Sequence, residues 1–134
     1  MHKGTQYFEP TPRLEALASQ VIGAAIEVHK AIGPGYLESV YEEALCRELT
    51  LRQVSYSRQH EFVLSYKGFP VGQGRLDLLV ADCLVVELKA IESFAAIHQA
   101  QVISYLRAMN LNLGLLINFN VPLLKNGIRR VIVS

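Results

Sequence analysis

Leu84-Val85-Val86-Glu87-Leu88-Lys89-Ala90 opens as an apolar run of the kind that buries a strand on both faces. It then sets a carboxylate and an ammonium two residues apart, where a strand's period of two points both the same way. A buried strand has little reason to end on two opposite charges, and the flanking residues lack the polar alternation of a surface strand. Ten residues upstream of Glu87, Asp77 interrupts a second apolar run, Leu76-Asp77-Leu78-Leu79-Val80. An Asp and a Glu that converge, with a Lys beside them, suit a hard divalent cation: magnesium takes oxygen ligands and commonly uses one or two carboxylates plus waters. The carbonyl of Leu88 offers a further oxygen. Such an ion polarises a phosphoryl oxygen and lowers the pKa of a bound water, while Lys89 orients or deprotonates that water or offsets charge in the transition state. The chemistry indicated is metal-assisted phosphodiester hydrolysis; the competing reading is a structural Asp–Glu–Lys ion cluster at a strand end.

Convergence depends on the hairpin. If Val80 pairs with Leu84 around a three-residue loop, Asp77 falls opposite Glu87 on one face. A two-residue loop would set Asp77 against Val86 and separate the carboxylates. Opposed like charges destabilise a sheet unless a cation lies between them, and that favours the longer loop.

The elements around this hairpin follow from periodicity and punctuation. Residues 1–10 read as a leader, mobile unless something pins it, and residues 11–134 as a single domain. Thr11-Pro12 starts a helix whose apolar face is Leu14, Leu17, Val21, Ala24 and Val28, ended by Gly33-Pro34-Gly35. A second helix runs from about Leu37 to Arg52, with Leu37, Val40, Tyr41, Ala44, Leu45 and Leu49 as its stripe and Glu38 in its first turn. A negative charge there suits the helix dipole, which would by itself account for Glu38. From Tyr56 a strand runs to a turn at Lys67-Gly68. A second strand spans about Val71 to Val80, and Gly72 and Gly74 suggest a bulge or a close approach to its backbone. After the strand ending at Lys89, a third helix is expected over Ser93–Met109, with Phe94, Ile97, Val102, Leu106 and Met109 as core candidates. His98, Gln101 and Tyr105 form a polar stripe beside them. Leu113–Phe119 reads as a central strand and Ile128–Val133 as the last, with Arg129 and Arg130 on opposite faces. Helix, helix, three strands, helix, two strands describes an α/β chain.

The totals bound the partners. The 134 residues suffice for one core, and the net charge of +1 neither suggests nor excludes a nucleic acid. No run approaches the length of a membrane span, and no signal peptide is evident. Cys46 and Cys83 lack metal-ligand spacing and read as reduced thiols of a cytoplasmic protein.

Asp77 followed by Glu87-Leu88-Lys89, in a hairpin between helices, resembles the PD-(D/E)XK nuclease superfamily. Gly35-Tyr36-Leu37-Glu38-Ser39-Val40-Tyr41 is similar to the G-x-x-E-x-x-Y signature of the GxxExxY proteins, as are the Val-Glu-Leu-Lys-Ala stretch and Leu116-Ile117-Asn118-Phe119. Leu76 stands where the superfamily name has proline. The resemblance implies a restriction-endonuclease-like core, a mixed sheet of about five strands flanked by helices. It also implies Asp77 and Glu87 as ligands of Mg²⁺ or Mn²⁺, Lys89 as the catalytic lysine and Glu38 as an additional carboxylate. Gln101 and Tyr105 match a Q-x-x-x-Y motif that positions nucleic acid in related branches. The expected function is a divalent-metal-dependent nuclease acting on DNA, with RNA as the other candidate substrate. The alternative is a nucleic-acid- or protein-binding module that keeps the fold without turnover. A phosphatase of small substrates would use the same ions. The high apolar fraction, 51%, leaves room for a homodimer.

Overall fold

The computed structural model describes residues 8–134, so most of the expected leader lies outside the described residues; Phe8 packs against the core. Helix α1 spans Pro12–Ile32. Thr11 Oγ1 accepts from the Leu14 N–H at 3.1 Å as its N-cap, and Gly33, at φ +80, ends it. Helix α2 follows at Glu38–Leu51. Strands β1 (Tyr56–Tyr66) and β2 (Phe69–Val80) form a long hairpin turned by Lys67 and Gly68, whose φ of +50 and +83 are what a two-residue hairpin turn requires. Strand β3 (Leu84–Lys89), helix α3 (Ala96–Met109), strand β4 (Leu113–Asn118), a 3₁₀ turn at Leu124–Gly127 and strand β5 (Ile128–Ile132) complete the chain.

The sheet order is β1-β2-β3-β4-β5, with β3 and β4 parallel and the other neighbours antiparallel. It is the mixed α/β sheet of a restriction-endonuclease-like fold. Parallel neighbours need a long crossover, and α3 supplies it. Helices α1 and α2 cover one face, packing Val21, Ala24, Val28, Tyr41, Leu45 and Leu49 against Leu78, Val80, Leu84, Val86, Leu88, Leu113 and Ile117. Helix α3 covers the other with Val102 and Leu106 over Leu76, Leu79, Val85 and Leu116. A β-carbon on Gly114 would lie 2.8 Å from Val102 Cγ1, so glycine is what lets α3 settle so close to β4.

Some expectations need correction. Leu37 and Val40 are 76% and 39% exposed, because Leu37 is the extended N-cap of α2 and the buried stripe begins only at Tyr41. Ile97, placed in the core by its spacing, is 69% exposed: helix α3 begins at Ala96 rather than Ser93 and its first turn reaches no core cluster. His98 accepts the Ala95 N–H at 2.9 Å through Nδ1, a capping role at the start of that helix. Gly74 does mark a close approach, since the ring of Phe62 occupies the space its β-carbon would need. The irregularity in register falls further out, at Leu64/Ser65. Cys46 and Cys83 are free.

Candidate active site

The loop that delivers Glu38 is built by its own signature residues. Gly35 takes φ +100, a conformation that L side chains rarely adopt. Tyr41, fully buried and stacked on Phe119 at 4.5 Å between ring centroids, donates its hydroxyl to the Gly33 carbonyl at 2.7 Å and accepts the Tyr36 N–H at 3.1 Å. The tyrosine therefore clamps the chain that turns from α1 into α2, and Glu38 leaves the first turn of α2 as an exposed side chain. Its carboxyl is pushed up by partial loss of water and by the neighbouring Asp77 charge, with Lys89 opposing.

Between β2 and β3 the expected three-residue loop is present: Val80 pairs with Leu84, Leu79 with Val85 and Leu78 with Val86. The ladder then stops, and two carboxylates take over its hydrogen bonds. The Asp77 N–H donates to Glu87 Oε2 at 2.6 Å, and the Leu88 N–H donates to Asp77 Oδ2 at 2.8 Å. Each acid thus satisfies a main-chain amide of the other strand while the strands part. The pair meets at this parting rather than as an opposed pair within the ladder. Strict alternation fails here too, since Leu76 lies under α3 while Leu78 lies under α1 and α2, although they are two residues apart.

Glu87 is only 4% exposed, and its pKa is pushed up to about 8, first by burial and then by the charge of Asp77; Lys89 and the bond from the Asp77 amide pull it down. The two acids are close enough that the charge of Asp77 disfavours ionisation of Glu87. Lys89 is partly buried and makes no salt bridge shorter than 4.0 Å among the described residues. Its place is fixed through the backbone. Its carbonyl accepts the Phe119 N–H at 2.9 Å, and Asn118, 2% exposed, holds the next turn of chain by accepting from the Ile91 N–H at 3.0 Å and donating to the Ile91 carbonyl at 2.9 Å. Because Lys89 bonds toward β4, the adjacent Leu88 presents its carbonyl, like its N–H, to the gap beside Asp77.

From α3, Tyr105 reaches the same neighbourhood. Burial raises the pKa of its phenol first, then the charges of Glu87 and Asp77, while a hydrogen bond with Gln101 opposes them. Its ring meets Phe62 edge-on at 5.3 Å. Arg129 and Arg130 do point to opposite faces: Arg129 lies over the Phe94 ring at 4.7 Å, and Arg130 pairs with Glu15 of α1 at 2.9 Å.

Asp77, Glu87, Lys89 and Tyr105, with Gln101 on Tyr105, are therefore brought together; Glu38 stands within electrostatic reach but apart. Among the described residues no three His, Cys, Asp or Glu side chains gather closely enough to hold a metal ion. Two carboxylates and a main-chain carbonyl remain, a hard oxygen donor set of the size that Mg²⁺ or Mn²⁺ completes with waters. Sequence reasoning missed two supporting residues. Asn118 carried a signal, a lone amide closing an apolar strand. Gln59 carried none: its Nε2 donates to Glu42 Oε1 at 2.6 Å and to Asp77 Oδ1 at 3.4 Å, from the middle of β1.

No curated protein and no solved structure matches the chain. A family model does, over residues 15–131, a span that holds every one of these side chains and both covering layers of helices. With an acid on β2, Glu-x-Lys on β3 and the mixed sheet that brings them together, the chain belongs to the PD-(D/E)XK nuclease superfamily.

Proposed function

We propose that this chain is a Mg²⁺- or Mn²⁺-dependent nuclease that hydrolyses phosphodiester bonds of DNA or RNA, of the GxxExxY kind. The observation that carries the reading is the buried Glu87 bound to Asp77 where β2 and β3 part. Retaining two mutually repelling acids at the heart of a sheet destabilises the fold, and a cation removes that repulsion.

The residues divide the work. Asp77 and Glu87 would hold the ion with the Leu88 carbonyl, Glu87 first giving up its proton. When bound, the ion would polarise the scissile phosphoryl oxygen and acidify a water. Lys89, at the end of the same strand, would supply a positive charge to orient the attacking water and to offset charge on the phosphoryl oxygens. Glu38, within electrostatic reach of Asp77, would add a further carboxylate to the negative charge that attracts the ion. Tyr105 and Gln101 offer a phenol and an amide to a backbone phosphate.

One observation favours the alternative, a nucleic-acid- or protein-binding module without turnover: Glu38 is not gathered with the other two acids. A single assay separates the two. Single- and double-stranded DNA and RNA are incubated with the protein and Mg²⁺ or Mn²⁺. Cleavage that falls by about 100-fold or more in Lys89→Ala and in Asp77→Ala supports the nuclease. Cleavage that survives either substitution would refute the assigned mechanism, and binding without cleavage would establish the module.

A further inference from the structure

Gln59 lies inside β1 yet stands outside its ladder. Arg58 pairs with Leu78 and His60 with Leu76, but the intervening Gln59 and Asp77 do not pair. The backbone of Gln59 is left-handed, at φ +47, and among the described residues it is the only non-glycine with positive φ inside a strand. Both strands change sides at this point. Arg58 reaches Glu42 and Glu43 of α2, whereas His60 turns to Ser57 on the other face, just as Leu78 and Leu76 divide between the two cores.

The distortion aims an amide. Nε2 of Gln59 donates to Glu42 Oε1 at 2.6 Å and to Asp77 Oδ1 at 3.4 Å. Both acceptors are carboxylates, so only the NH₂ end of the side chain can serve the two, which fixes the orientation of the amide. Glu42 is in turn held by Arg58, whose Nη2 is 2.9 Å from Glu42 Oε2. The other oxygen of Asp77 is already engaged by the Leu88 N–H. Glutamine is a poor choice for a left-handed position, where glycine or asparagine sits more easily. Retaining it there costs stability that a purely structural role does not require.

We infer that Gln59 is a positioning residue of the carboxylate site, steering Asp77 Oδ1 through an amide anchored on Glu42 and Arg58. The inference rests on the metal-dependent nuclease reading and adds to it a residue outside the acid–lysine set. It connects α2 to the metal-binding acid, so the element that carries Glu38 and the strand that carries Asp77 are set by one side chain.

The test compares Gln59→Gly and Gln59→Leu with the unaltered protein by Mn²⁺ calorimetry, by the Mn²⁺ concentration for half-maximal cleavage, and by melting of the metal-free protein. Both variants lose the donors, whereas only glycine relieves the backbone. Mn²⁺ affinity should fall about tenfold in both, with a matching rise in the Mn²⁺ requirement and a smaller change in rate at saturating Mn²⁺. The melting temperature should hold or rise for glycine and fall for leucine. Unchanged Mn²⁺ affinity in Gln59→Gly, in a protein that binds Mn²⁺ and cuts, overturns this inference alone. Losses that track melting temperature, large in leucine and absent in glycine, overturn it as well by showing a structural role. An unaltered protein that neither binds Mn²⁺ nor cuts overturns the nuclease reading and this inference with it.

Discussion

Glu87 is the residue on which the proposed chemistry and the stability of this protein meet. Its pKa is raised from 4.5 to about 8 by burial and by Asp77. A carboxyl raised on folding contributes stability that is complete below the unfolded value, about pH 4.5, and is lost as the pH rises through the folded value near 8. Metal-free protein should therefore melt lower at pH 8.5 than at pH 5 by an amount on the order of 5–10 °C that disappears in Glu87→Gln. Thermal melts at the two pH values check this, and an equal decline in both proteins would remove Glu87 as its cause. The same proton would oppose the proposed cation, so Mg²⁺ affinity should climb with pH up to about 8. Calorimetry should find that affinity abolished in Glu87→Gln; unaltered binding would mean that the acids form only a structural pair. Lys89 contributes differently, because its place comes from the Asn118 and Phe119 bonds to the chain around it. Asn118→Ala leaves the Ile91 amide and carbonyl without those partners, and should reduce cleavage while Mg²⁺ affinity stays near that of the unaltered protein.

At the scale of elements, the site depends on a loop and a hairpin that are each held by one aromatic residue. Tyr41→Phe keeps the stacking on Phe119 but removes the hydroxyl that joins Gly33 and Tyr36. Two main-chain groups lose their partner, at a cost of about 1–3 kcal/mol, and the start of α2 loosens. Denaturant unfolding should register that loss, together with weaker Mg²⁺ binding through Glu38; full retention of both would show that the clamp is dispensable. In the hairpin, Phe62 lies in the place of a Gly74 side chain and meets Tyr105 edge-on. Gly74→Ala displaces that ring and should destabilise the fold by about 1–3 kcal/mol, with a change in the near-ultraviolet signal of the aromatic residues. By contrast, the Arg130–Glu15 pair at 2.9 Å is part-exposed and should contribute less than about 1 kcal/mol in a double-mutant cycle.

Over the whole molecule, the two helical layers cover the central strands from both sides and leave the Asp77–Glu87 pair where β2 and β3 part. A cation bound in that gap, as proposed, would join strands whose own ladder has ended and so couple binding to folding. Mg²⁺ at about 100 times its dissociation constant should raise the melting temperature by roughly 10 °C, and by much less in Asp77→Asn. The described residues include no helix long and apolar enough to cross a membrane. The outer half of the β1–β2 hairpin is exposed, carrying Val63, Tyr66, Phe69 and Val71 at 57–72% exposure.

The sequence by itself determined the order of elements, because helix caps, glycine–proline stops and apolar periodicity are local signals. It also determined the acid and Glu-x-Lys set, because charges interrupting apolar runs are conspicuous whatever the fold. The register around Ala81-Asp82-Cys83 followed from the need to bring Asp77 to Glu87. What only the tertiary structure decided is how they meet. The parting of β2 from β3, the change of faces at Gln59 and Asp77, and the delivery of Glu38 beside the pair without joining it are long-range outcomes. They arise where helices on both faces compete for the same two strands, and no window of neighbouring residues carries that competition. Val86-Glu87-Leu88-Lys89 points to the superfamily; the fold decides which oxygen each neighbour holds.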